Sequence, residues 1–257
     1  MPVANIRGFK VAYEEAGRGL PIVFIPGLVE TKEWFQRQVS GLSPKYRTIA
    51  CDLRTPGRSG EYSVRLLAED LARFLDAIRA NTAVICGRSF GGVVAQEFAL
   101  NYPDRTSAVV LMSSFASLPA VSDEKILSWL TPREQGGASL GWLRKLFGAA
   151  RTEPDSSEWL ALQAGKVNRA TVETRLRLAK DFDSTEQIGD IRVPTLTMVG
   201  SREPEEMLRA TRVLYEGIPD ATLEVMEGGD HFAFFLRHDL VNAALDDFVA
   251  ARLASLY

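Results

Sequence analysis

Cysteine, histidine and long apolar runs are all scarce in this 257-residue chain, and each scarcity excludes something. Cys51 and Cys86 each close a short apolar run, which suits buried reduced thiols better than a disulfide framework or a metal site. No stretch approaches the roughly 18 uninterrupted apolar residues that a membrane-spanning helix needs. The opening Met1-Pro2-Val3-Ala4-Asn5-Ile6-Arg7-Gly8 lacks the apolar core of a secretory signal, so a cytoplasmic protein is expected. The 30 basic and 33 acidic side chains leave a net charge of −3, with no block of five like charges. Nothing in that balance attracts nucleic acid or an anionic membrane, and the expected partner is a small molecule. Internal repeats and low-complexity tracts are also missing, whereas a 46% hydrophobic content is too high for a disordered chain.

What the chain does have is a rhythm. Apolar runs of strand length occur at 21–25, 48–51, 82–86, 108–112, 195–199 and 222–226. Continuous rather than alternating hydrophobicity is the signature of strands covered on both faces, so a mostly parallel sheet with helices on both sides is expected. Between the runs, Leu66, Leu67, Leu71, Phe74, Leu75 and Ile78 recur at helical spacing, as do Val241, Leu245, Phe248 and Val249. The more alternating segment 3–15 predicts an antiparallel edge hairpin. A crossover needs about a dozen residues, yet 113–190 separates two neighbouring strands. That surplus holds helical patterns around Ile126–Leu130, Trp142–Phe147, Ser157–Leu162 and Thr171–Ala179, and predicts a helical lid over 119–187 inserted into a core formed by 1–118 and 188–257.

Chemistry concentrates in Gly87-Arg88-Ser89-Phe90-Gly91. With 20 glycines in the chain the bare Gly-x-Ser-x-Gly pattern is weak, but here it directly follows a strand and directly precedes a helix of small and apolar residues. A nucleophile elbow needs that context, with glycines where side chains would collide in a tight turn that exposes the serine hydroxyl. A hydroxyl also needs a base, and only His231 and His238 are available. His231 lies in a Gly-Gly-Asp-His-Phe loop after the last strand, whereas His238 has charged neighbours on the final helix, so His231 is the expected base. The acid that fixes the imidazole should come from Gly200-Ser201-Arg202-Glu203-Pro204-Glu205-Glu206. Glu203 is preferred because Pro204 can open a helix over 205–217, leaving Glu205 and Glu206 in its first turn; Glu205 is the alternative. Oxyanion donors are expected from the backbone N–H groups of Leu28, in the Pro26-Gly27-Leu28 turn after the strand 21–25, and of Phe90.

Together with the run Asp52-Leu53-Arg54-Thr55-Pro56-Gly57-Arg58-Ser59, these motifs resemble the α/β-hydrolase superfamily over nearly the whole chain apart from the lid. The stretch 45–112 is similar to the enol-lactonase and small carboxylesterase branch, and Gly-x-x-Glu-Pro to the acid loop of some acyl-homoserine lactonases. Pro26 and Glu203 stand where most members of the superfamily have His and Asp. The resemblance implies Ser89 as nucleophile, Glu203 as acid, His231 as base, Leu28 and Phe90 as oxyanion donors, and no metal or cofactor. It implies a pocket under the lid, to which Arg88, Trp129, Trp142, Phe147 and Phe232 are assigned as candidates. The leading function is cofactor-free hydrolysis of a carboxylic ester or lactone; perhydrolysis, carbon–carbon bond hydrolysis and an idle binding protein use the same framework.

Overall fold

A computed structural model describes residues 2–57, 61–118, 163, 165–231 and 233–254. Trp129, Trp142, Phe147 and Phe232, together with most of the expected lid, lie outside these residues. Strands β1 (Val3–Ile6), β2 (Phe9–Ala16), β3 (Pro21–Ile25), β4 (Arg47–Cys51), β5 (Ala83–Arg88), β6 (Thr106–Met112), β7 (Thr195–Gly200) and β8 (Ala221–Met226) form one sheet in the order β1-β2-β4-β3-β5-β6-β7-β8. The first two form the expected edge hairpin, turning through Arg7 at φ 49° and Gly8 at φ 83°. Two left-handed residues in succession match the twist of the flanking strands. β2 meets β4 antiparallel, and every pairing from β4 onward is parallel.

Helices cover both faces. Among the described residues they are α1 (Gln36–Leu42), α2 (Val64–Ala77), α3 (Phe90–Asn101), α4 (Arg169–Asp181), α5 (Glu205–Gly217), the short α6 (Ala233–Leu236) and α7 (His238–Leu253). The period of two along each strand sorts the core. Val23, Ile25, Ile85 and Leu111 join Leu71 and Leu75 of α2, Phe90 and Val94 of α3 and Leu214 of α5, whereas Ile22, Phe24, Val84 and Val110 join Val39 of α1 and Val241, Leu245 and Phe248 of α7. α3 is buried along almost its whole length, which explains why it carries apolar and small residues on every side. α2 begins where the Ser63 hydroxyl accepts the Leu66 N–H, and α4 where Asn168 accepts that of Thr171. The helical pattern at 171–179 falls within α4.

One strand departs from expectation. β8, expected to be covered on both faces, pairs only with β7 among the described residues, and Thr222, Glu224 and Val225 are exposed. At a sheet margin the covering layer ends, and a run containing a threonine and a glutamate is consistent with that. No described helix is long and apolar enough to cross a membrane.

β3 has β4 on one side and β5 on the other, so the chain reverses its direction of travel across the sheet between β3 and β5. Loops leaving the C-terminal ends of these two strands part there and leave a crevice, the place where open α/β sheets bind ligands.

Candidate active site

Ser89 sits at that crevice, between β5 and α3, at φ 50° and ψ −118°. A serine in this left-handed region costs about 1–3 kcal/mol and persists only where its surroundings impose it. Here they do. The Ser89 N–H donates to the Met112 carbonyl at 2.8 Å, and the Ser89 carbonyl accepts from the Gly92 N–H at 2.9 Å and the Ser114 hydroxyl at 3.0 Å. The glycines are sterically required: a Cβ at Gly87 would lie 2.2 Å from the Gly91 carbonyl oxygen, and one at Gly91 would lie 2.2 Å from that of Ile25. Both obstacles are backbone, so Gly91→Ala is expected to destabilise the fold by about 3 kcal/mol or more. Urea unfolding measures this, and a variant within about 0.5 kcal/mol of wild type would contradict so tight an elbow.

The close approach of Gly91 to Ile25 and Pro26 also sets the N-terminus of α3 against the turn after β3. Phe90 occupies the first helical position, whose N–H has no acceptor within the helix. In the neighbouring turn the Gly27 N–H donates to the buried Glu30 carboxylate at 2.8 Å, which leaves the Leu28 amide as the turn's candidate donor to a bound oxyanion. From the other side, the buried Arg175 of α4 donates to the carbonyls of Gly27 and Leu28 at 3.3 and 3.2 Å.

The acid and base candidates meet after β7 and β8. His231 Nδ1 lies 3.0 and 3.1 Å from the two carboxylate oxygens of Glu203, and the Glu203 side chain is 1% exposed. Their loops are knitted together: the Arg202 N–H donates to the Gly229 carbonyl and the Gly228 N–H to the Ser201 hydroxyl, both at 2.8 Å. Glu205 and Glu206 instead face solvent in the first turn of α5, where Glu205 pairs with Arg209. His238 is half-buried at the first position of α7.

Burial pushes the Glu203 carboxyl up, but His231, the Ser113 hydroxyl and the nearby Arg88 guanidinium outweigh it and hold the group below the usual carboxylate range. Ser113, itself at φ 45°, donates to Glu203 at 2.5 Å. Removing this donor raises the pH at which Glu203 takes up a proton. Ser113→Ala is therefore expected to lose more kcat/KM near about pH 5.5 than near about pH 8, and superimposable pH profiles would show the contact to be inert. The expected pocket residue Arg88 has its side chain buried, paired with Glu30 and donating to the His231 carbonyl.

Ser113, Glu30 and Arg175 escape sequence reasoning. Only Ser113 leaves a trace, as a polar residue at the crevice end of an apolar strand.

The model of the alpha/beta hydrolase family matches residues 22–244. RutD of Azorhizobium caulinodans, a protein named as a carbamate hydrolase, is 26% identical over 95% of this chain and 97% of its own length. 3-Oxoadipate enol-lactonase 2 of Acinetobacter baylyi is also 26% identical, over 80% of each chain. The structure of the enol-lactonase from Burkholderia xenovorans superposes with a TM-score of 0.83 at 22% identity, covering 97% of this chain and 100% of that one. A matched stretch that begins in β3 and ends in α7 takes in the turn around Ser89, the turn after β3 and the loops that carry Glu203 and His231, and the chain belongs to the alpha/beta hydrolase family.

Proposed function

We propose that the protein hydrolyses carboxylic esters or lactones through an acyl-enzyme on Ser89, with His231 as base and Glu203 as the acid that orients it. The observation that carries this reading is the pairing of His231 Nδ1 with a buried carboxylate at the same sheet edge as the strained Ser89. With its proton held on Nδ1 by Glu203, the ring offers Nε2 to take the Ser89 proton as Oγ attacks the substrate carbonyl. The N–H groups of Leu28 and Phe90 bind the oxyanion that develops. Collapse breaks the ester bond, and the alkoxide leaves with the proton carried by His231. Water then attacks the acyl-enzyme with its proton passing to the same nitrogen, and the second collapse returns that proton to Ser89 and releases the acid.

A lactone is the more specific substrate class. The enol-lactonase among the relatives and the Gly200-x-x-Glu203-Pro204 loop both support it. In this reading 119–187 forms the lid, Trp129, Trp142, Phe147 and Phe232 supply apolar surface to the pocket, and the enzyme works on soluble small molecules in the cytoplasm. The test is a panel of p-nitrophenyl esters of increasing chain length, lactones followed by proton release, carbamates and a vinylogous diketone. The expected result is turnover of esters and a higher kcat/KM on at least one lactone. Lactones all slower than a butyrate ester would remove the lactone preference, and turnover confined to carbamates or to carbon–carbon cleavage would overturn the proposal.

A further inference from the structure

One charged side chain beside Ser89 takes no direct part in the proton transfers above. Arg88 immediately precedes Ser89, and its side chain is 3% exposed. Trp34, Phe35, Phe234 and Phe235 line the space around it, with the guanidinium 5.7 Å from the Trp34 ring centre and 5.6 Å from that of Phe234. Burial lowers its pKa to about 10, against the pull of Glu203 and Asp230, so it still carries its charge at neutral pH. A buried guanidinium adds little to stability unless its geometry is used for something, because desolvation offsets most of the Coulombic gain.

That geometry spans the site. One Glu30 oxygen pairs with Arg88 while the other accepts the Gly27 N–H at 2.8 Å, so the carboxylate holds the turn that presents Leu28. On its other side Arg88 donates to the backbone carbonyl of His231. The chain of contacts Gly27–Glu30–Arg88–His231 thus runs from the oxyanion turn to the base, and Arg88 is joined to Ser89 by a peptide bond. A planar guanidinium can satisfy two partners at once with fixed angles, whereas an ammonium on a flexible stem cannot.

We infer that Arg88 is a positioning residue: through Glu30 and the His231 carbonyl it sets the distance between the oxyanion turn and the base around Ser89. This inference rests on the acyl-enzyme reading of the site. The guanidinium is engaged by two internal partners, which argues against its meeting a substrate carboxylate. Displacing reacting groups by about 1 Å costs on the order of 10²-fold in rate, and that is the effect expected from releasing the span.

Two variants test it. In Arg88→Met/Glu30→Gln no charge of the pair stays buried, and the glutamine keeps an acceptor for the Gly27 N–H. Arg88→Lys keeps the charge but not the fork. Each is counted by titration with a fluorophosphonate, so that kcat refers to competent sites only, and each is measured for KM and for the Ki of a trifluoromethyl ketone, which forms an oxyanion on the serine. Both variants are expected to lose about 10²-fold in kcat per site and a similar factor in ketone affinity, with KM changed less than about threefold. A merely structural arginine would lower the number of competent sites and leave kcat per site and Ki unchanged, and that result would overturn the inference. So would a raised KM at constant kcat, which marks a substrate contact. Should the double variant fail to fold, Arg88→Lys decides alone. Wild type that takes no label on Ser89 would sink the acyl-enzyme reading itself, whereas labelled wild type with unimpaired variants would sink only the role of Arg88.

Discussion

Ser89→Ala is expected to lower ester turnover by at least about 10⁴-fold while leaving the fold intact. The large effect follows from what stands nearby. Among the described residues the hydroxyls of Ser113 and Ser114 stand near Ser89, and both are engaged: Ser113 donates to Glu203 and Ser114 to the Ser89 carbonyl, with each residue 0% exposed. Neither can take over as nucleophile. The fold should survive because the Ser89 contacts described above are made by its backbone, which alanine retains. Steady-state kinetics with a p-nitrophenyl ester, paired with a thermal melt, checks both halves. More than about 1% residual activity in a protein free of wild-type contamination would rule out the covalent route.

Glu203→Gln carries the second large effect, about 10⁴-fold in kcat. An amide nitrogen facing Nδ1 donates a hydrogen bond where the carboxylate accepted one, so the ring proton moves to Nε2, the position that has to be empty to receive the Ser89 proton. Glu205→Gln and Glu206→Gln are the internal controls. Their carboxylates face solvent at the start of α5, where a first-turn charge contributes only about 0.3–1 kcal/mol. Stability gives an independent reading of the same residue. Because Glu203 is held below its usual value in the folded protein, it contributes stability that is present above the unfolded-state value of about 4.3 and is lost as pH falls through the folded-state value. Glu203→Gln should flatten that part of the stability–pH curve. Turnover collapsing in Glu205→Gln with Glu203→Gln near wild type would move the acid two residues along.

How much of this was legible in the sequence depended on whether the deciding contacts were local. The inner strands are legible because burial on both faces leaves few positions for a polar residue, whereas β8 reads as an inner strand despite Thr222 and Glu224, because its place at the margin is set by the order of the whole sheet. The elbow was legible since its constraint is local: Gly87 and Gly91 lie within two residues of Ser89 and are needed for that turn. Glu203 was separable from Glu205 and Glu206 because Pro204 divides loop from helix, and Pro204 is the residue that caps α5. The supporting contacts are long-range. Ser113 reaches Glu203 across 90 positions and Arg175 reaches Gly27 across 148, so no window of sequence pairs them. Arg88, a candidate pocket residue beside Ser89, has its observed partners, Glu30 and His231, in two other loops, so no local pattern marks them.

The central claim is that Ser89 is an activated nucleophile. It is tested most directly by incubating the wild-type protein with a serine-directed fluorophosphonate and recording the intact mass, followed by peptide mapping. The account predicts one adduct per chain, located on Ser89, formed in step with loss of esterase activity and absent in Ser89→Ala and, over the same interval, in His231→Ala. No adduct on the folded wild type, or one placed on another residue, would contradict it.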